Sequence, residues 1–262
     1  MSARRSPPRA ARPASGSPLR SKAGPRLGSG AGLWLSAAVV VAVGAWFIQG
    51  IVAPAGSASA TPPGAGRNTP VPPKQIGLIA GHNRLKTLPN GDAVRDTEGL
   101  MDTGAVCDDG TTEADITLNV ARRVAAELRD QDKLPVELLG EFDARLRGYF
   151  GQALISIHVD ACIRNLSGYK VARLIESAVP ETEDRLVNCL RERYAAITGL
   201  PEHRNTITPD MQEYHAFREI ALTTPGAIIE LGFLRDDQAI LKQGDLPVKG
   251  VLEGIRCFLK GR

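Results

Sequence analysis

Three short runs of this chain are almost wholly apolar and do not alternate: IGLIA (76–80), ALISI (153–157) and AII (227–229), which leads into Glu230. A strand with one wet face alternates apolar and polar residues; a parallel strand covered on both faces is apolar nearly throughout. Helical patterns separate the runs. Ile116, Val120, Val124 and Leu128 recur every fourth residue within 111–131, an apolar stripe along one face, with Thr111 or Thr112 placed to cap its start. A second helix is expected over 181–198, ended by Gly199, and a last one over 247–261. Further strands are expected at 134–142 and 168–176, and a short helical turn near 143–150. Alternating strands and helices predict an α/β fold: a single sheet of about six mostly parallel strands with helices on both faces, preceded by one transmembrane helix.

That membrane helix is expected from the N-terminal region. Residues 1–32 carry seven Lys/Arg and no acid, in a Pro/Ser/Gly-rich context that cannot offset its ordering entropy. Residues 33–53 follow, 21 in a row without a charge, long enough to cross a hydrocarbon core of about 30 Å. The cationic side should stay in the cytoplasm. A cleaved signal peptide is the rival reading, with small residues at Gly56–Ala60, but the apolar run exceeds the usual 7–15 or so. Residues 54–73 contain six prolines and read as a semi-extended linker. Eight of the 32 basic residues lie in the first 73 positions, leaving 24 against all 29 acidic ones in 74–262, a net charge of −5. Nothing in that outer domain suggests nucleic-acid binding.

The informative polar residues stand at the ends of the greasy runs. IGLIA runs into Gly81-His82, ALISI into His158, and AII into Glu230; Glu113 opens the first long helix. Ligands bind at the carboxyl ends of strands in open α/β sheets. Two histidines and a carboxylate are the protein ligand set of a catalytic zinc site, and such a site needs a further carboxylate as general base. Glu230 lies among Ile228, Ile229, Leu231 and Phe233, a setting that raises a carboxyl pKa. The order His, Glu, His, Glu at separations of 31, 45 and 72 residues excludes the helical H-E-x-x-H signature.

These motifs together resemble the zinc-dependent N-acetylmuramoyl-L-alanine amidases of the amidase_3 family of cell-wall hydrolases. The resemblance spans 76–260. It rests on IGLIAGH, on EADITLNVARRVAAEL, on SIHVDA and on IIELGFL, in the family's order. It implies that His82, Glu113 and His158 ligate Zn2+ and that Glu230 is the catalytic carboxylate. It also implies hydrolysis of the amide between N-acetylmuramic acid and L-alanine in peptidoglycan. A zinc peptidase cutting within the stem peptide and a non-catalytic wall-binding domain are the alternatives. Two motifs depart from the family: IAGHNR replaces D-P-G-H-G-G, and Arg235-Asp236 follow the last motif in place of S-N.

Arg235 is open to two roles, a contact to an acidic stem peptide or a surface charge. Asp115 is expected to cap or solvate the first helical turn. Asp160 could hydrogen-bond a ligand histidine or shape a turn. His203 is expected in an exposed polar loop, and His215 either on a helix surface or in a substrate pocket. Cys107 lies six residues before Glu113 and Cys162 four after His158, so a shared metal would bring them together; Cys189 and Cys257 sit on two late helices that can pack side by side. Bridges Cys107–Cys162 and Cys189–Cys257 are expected. The chain is expected to be a monomer, anchored through 33–53, with its catalytic domain on the cell-wall side acting on the peptidoglycan glycan-peptide. Fractionation of cells carrying a C-terminal epitope should find full-length protein in the membrane pellet, with the epitope open to external protease. A soluble product beginning near Thr61 would show a cleaved signal peptide.

Overall fold

The computed structural model describes residues 73–88, 93–98 and 102–261. The expected basic tail (1–32), the transmembrane segment (33–53) and all but the last residue of the linker lie outside the described residues. Among those described, no helix is long and apolar enough to cross a membrane.

The central sheet has five strands in the order β4-β1-β5-β7-β6. Strands β1 (Ile76–Ala80), β4 (Val136–Gly140), β5 (Ala153–Asp160) and β7 (Gly226–Phe233) are mutually parallel, and β6 (Lys170–Ala172) closes one edge antiparallel to β7. The sequence expectation of about six strands is corrected to five. The 168–176 stretch contributes only three residues to the sheet, and Arg173, the next residue, pairs with Asp184 at 2.6 Å. A separate two-stranded hairpin, β2 (Leu85–Thr87) with β3 (Ala93–Arg95), was not foreseen. Both of its strands are three residues long, too short to show a period, although Asn90-Gly91 between them is a hairpin signal.

The helices are distributed unequally between the faces. α1 (Glu113–Asp130), α2 (Pro180–Thr198) and α6 (Asp245–Lys260) all pack on one face, against Leu78, Ala153, Ile155, Ile157 and Ile229. The expected stripe Ile116, Val120, Val124 and Leu128 is buried there. The opposite face, carrying Ile79, Leu139, Leu154 and Ile228, is covered by Leu146 of a single 3-10 turn and by Met211, Tyr214, Phe217 and Ile220. Those residues come from two short helices, α3 (Pro209–Gln212) and α4 (His215–Glu219), and the residues that flank them. α5 (Gln238–Gln243) follows β7. One sheet face is therefore a deep apolar core, and the other is thin enough to admit polar groups.

α2 and α6 lie in close contact. Tyr194 on α2 is fully buried and its hydroxyl donates to the Leu231 carbonyl at 2.7 Å. Gly250 and Gly254, one turn apart on α6, face α2: a Cβ would stand 2.6 Å from the Tyr194 ring at Gly250 and 2.9 Å from Leu190 Cα at Gly254. The Cys189–Cys257 bridge joins the same two helices at a Cα separation of 5.6 Å, and Cys107–Cys162 closes at 5.5 Å, so both expected pairings are present. Gly254→Ala forces backbone apart from backbone and should lower the unfolding free energy by about 1–3 kcal/mol in urea titrations. Unchanged stability would show slack in this seam.

Candidate metal and catalytic site

Side-chain alternation decides what reaches the thin face. Along β5, Ile155, Ile157 and Val159 point to the long helices, so Leu154, Ser156 and His158 point the other way. The same parity on β7 sends Ile229 and Leu231 inward and Ile228 and Glu230 to the side of His158. In the β5–β7 register His158 and Glu230 are direct neighbours. Three of the four predicted site residues thus reach the C-terminal edge of the sheet from strands or the turns that follow them. The fourth, Glu113, comes from the first residue of α1, whose Thr112 hydroxyl accepts the Asp115 N–H. Asp115 therefore serves the cap as expected, and it also pairs with Arg95 at 2.8 Å.

The ligand atoms of His82, Glu113 and His158 all lie within 4.8 Å of one another, the one such group of three among the described residues. Glu113 is buried and well held: Oε2 accepts the Ala105 N–H and Oε1 the Val159 N–H, each at 3.0 Å. Its Oε1 is 3.1 Å from His158 Nδ1, and its Oε2 is 3.6 Å from His82 Nε2. His82 has φ +54°, a left-handed conformation uncommon outside glycine. Its Nδ1 lies 2.9 Å from Asp102 Oδ2. Two glycines make room for the cluster. A Cβ at Gly81 would meet the His158 ring at 2.5 Å, and one at Gly104 would meet Glu113 Oε2 at 2.4 Å. The Cys107–Cys162 bridge ties the loop before Glu113 to the loop after His158.

Burial works against a charged His158, but the Glu113 bond and the carboxylates of Glu230 and Glu141 outweigh it and raise its pKa. Glu230 has the reverse problem. Desolvation dominates, His158 and Lys170 pull its pKa down, Glu113 and Asp160 push it up, and it stands at about 7. Its Oε2 is out of solvent with no hydrogen-bond partner among the described residues. Lys170 is buried opposite Glu230 in the β6–β7 register, bonded to Asp160 and donating to the Thr206 carbonyl at 3.0 Å. Asp160 is thus engaged with Lys170 and the Ala161 N–H, and takes no hydrogen bond from His158.

The structure adds a carboxylate that the sequence reading passed over. Glu141 follows β4, is 7% exposed, and accepts the backbone N–H of His82. Burial opposes its ionisation, but His215, His158 and His82 beside it, with that N–H, hold its pKa at about 2. Its signal was legible: Gly140-Glu141 ends an apolar strand just as Gly81-His82 does. Tyr214 also belongs here, 3.3 Å from His158 Nε2. His215 is not a plain surface residue. It stacks on Phe142 at 4.6 Å, and its Nε2 lies 3.8 Å from Glu141 Oε1. His203 is partly buried against Phe233, with Nδ1 2.8 Å from Thr206 Oγ1, and Arg235 lies 3.7 Å from Asp108. A cleft of about 570 Å³ opens beside Glu141, bordered by Arg84, Leu85, Asp96, Phe142 and Arg145.

No protein-family model and no curated protein matches the sequence. Among solved structures, the chain is similar to the N-acetylmuramyl-L-alanine amidase Ami1 from Mycobacterium smegmatis. The match has 20% identity and TM-score 0.51, over 74% of this chain and 100% of that one. It is also similar to an N-acetylmuramoyl-L-alanine amidase from Clostridium difficile 630, with 17% identity and TM-score 0.50, over 72% of this chain and 97% of that one. At these identities the likeness establishes the fold.

Glu230 yields a pH prediction for the metal-free chain. Its folded pKa of about 7 exceeds the unfolded value near 4.5, so the folded state binds this proton more tightly. Its contribution is complete below about pH 4.5 and lost as pH rises through 7. Between pH 5 and 8, with chelator present, wild type should lose about 2–3 kcal/mol more than Glu230→Gln in urea unfolding. Parallel curves for the two proteins would contradict the raised pKa.

Proposed function

We propose that this chain is a zinc-dependent N-acetylmuramoyl-L-alanine amidase that cuts the amide between N-acetylmuramic acid and L-alanine in peptidoglycan. The observation that carries the proposal is the convergence of His82, Glu113 and His158 beside a carboxylate with raised proton affinity. The motif resemblance and the shared fold support the substrate class.

The donor set suits zinc: two imidazoles and one carboxylate, buried, with a second partner fixing each imidazole and glycines clearing the space. We assign His82, Glu113 and His158 as the ligands. A bound Zn2+ would supply Lewis acidity toward the scissile carbonyl and would acidify a water. Glu230 is the general base. It takes a proton from the attacking water as the water oxygen bonds to the lactyl carbonyl carbon, then delivers that proton to the alanine nitrogen as the C–N bond breaks. A carboxylate poised near neutrality can do both, and a nearby cation would draw its pKa below 7. Tyr214 and the apolar lid of α3 and α4 keep bulk water from the back of the site. We assign the cleft beside Glu141, bordered by Arg84 and Arg145, to the substrate.

The placement proposed is a single-pass membrane protein anchored by 33–53, with 74–262 on the wall side. Two disulfides suit an oxidising compartment. The linker then limits cutting to strands within its reach.

Purified sacculi digested with the zinc-loaded chain should release intact stem peptides that begin with L-alanine. Shorter peptides would point to a stem-cutting peptidase, and no release to a binding module. His158→Ala should lose metal and activity together. Glu230→Gln should keep metal while turnover falls on the order of a hundredfold or more.

A further inference from the structure

Glu141 touches both histidines of the cluster from the side away from Glu113. Glu113 faces His82 Nε2 and His158 Nδ1; Glu141 Oε2 lies 3.9 Å from His82 Nδ1 and Oε1 lies 4.0 Å from His158 Nε2. The two oxygens of Glu141 have separate tasks. Oε2 accepts the backbone N–H of His82, the residue held in a left-handed conformation. Oε1 accepts from the Tyr214 hydroxyl at 3.4 Å, and that hydroxyl stands 3.3 Å from His158 Nε2 and 3.1 Å from Ser156 Oγ.

The hydroxyl valences fix the direction of this chain. A phenol donates once and accepts twice. Glu141 can only accept, so Tyr214 donates to it and receives from Ser156 Oγ–H and from His158 Nε2–H. That places a proton on His158 Nε2, so Nδ1, which faces Glu113, is the nitrogen left to offer a lone pair to a metal. On the other side, Asp102 accepts from His82 Nδ1–H, which leaves His82 Nε2 free toward Glu113.

We propose that Glu141, acting through Tyr214 on His158 and through the backbone N–H on His82, is a positioning residue that presets both imidazoles for metal binding. This rests on the metal-site reading above, and it assigns a role to two residues that carry no ligand atom. A positioning partner of this kind is worth about 10–100-fold in metal affinity.

The test uses the full-length chain in two variants, Glu141→Gln and Tyr214→Phe, with two readouts. In the first, zinc affinity is measured by competition with a chromophoric chelator, and folding is checked by circular dichroism. Glu141→Gln should weaken zinc about 10–100-fold and Tyr214→Phe about tenfold. In the second, long-range imidazole nitrogen spectra are taken of the metal-free protein labelled at its four histidines. His158 should be the Nε2–H form in wild type and lose that single form in Tyr214→Phe. Wild-type zinc affinity in both variants, or an unchanged His158 tautomer in Tyr214→Phe, overturns the proposal. If Glu141→Gln fails to fold, Tyr214→Phe alone decides by the same two measurements. If the wild-type chain binds no zinc, the metal reading fails, and the His158 tautomer still decides the positioning role.

Discussion

Three carboxylates, Glu113, Glu141 and Glu230, stand at one end of one sheet, and the site depends on how unequally they are matched. An ionised carboxylate taken from water costs several kcal/mol unless donors or cations replace the lost solvation. Glu113 has two backbone N–H donors and two imidazoles. Glu141 has a backbone N–H and a phenol. Glu230 has charged neighbours of both signs and one oxygen with no hydrogen bond. The first two are held by donors on both oxygens and hold other groups in turn. The third is the one whose proton is easily gained and lost near neutral pH. The local donor count is what separates the three.

The scaffold produces this inequality cheaply. Parallel strands end together, so β1, β5 and β7 deliver polar residues to one edge, and a period of two puts His158 and Glu230 on the same face. Placing all three long helices on the opposite face leaves this one covered by short segments, so a phenol and an imidazole can approach from above. The N-terminus of α1 is a favourable place for the Glu113 carboxylate. The Cys107–Cys162 bridge then fixes the loops that carry Glu113 and follow His158, while the α2–α6 seam, with its glycines and its own bridge, is remote from the chemistry and serves stability.

Much of this was legible in the residues. The greasy runs ending in His82, His158 and Glu230 marked strands and their carboxyl ends, and the stripe from Ile116 to Leu128 marked α1. The cysteine pairing followed once two ligands were assumed to meet. What escaped had physical reasons. Strand order and the antiparallel sense of β6 depend on pairing, which three residues cannot encode alone. The unequal helix layers depend on crossover geometry and not on any one helix's pattern. Tyr214 and Asp102 lie in loops without periodicity, so only the fold brings them to the histidines. Glu141 obeys the same strand-end rule as His82, but a single glutamate after a strand carries no motif of its own.

X-ray absorption at the zinc edge of the full-length chain tests the arrangement most directly. The predicted result is one equivalent of zinc per chain, with a nearest shell of nitrogen and oxygen that includes two imidazoles and no sulfur. Failure to retain an equivalent of zinc, or a shell containing sulfur or a single imidazole, would contradict His82, Glu113 and His158 as the metal site.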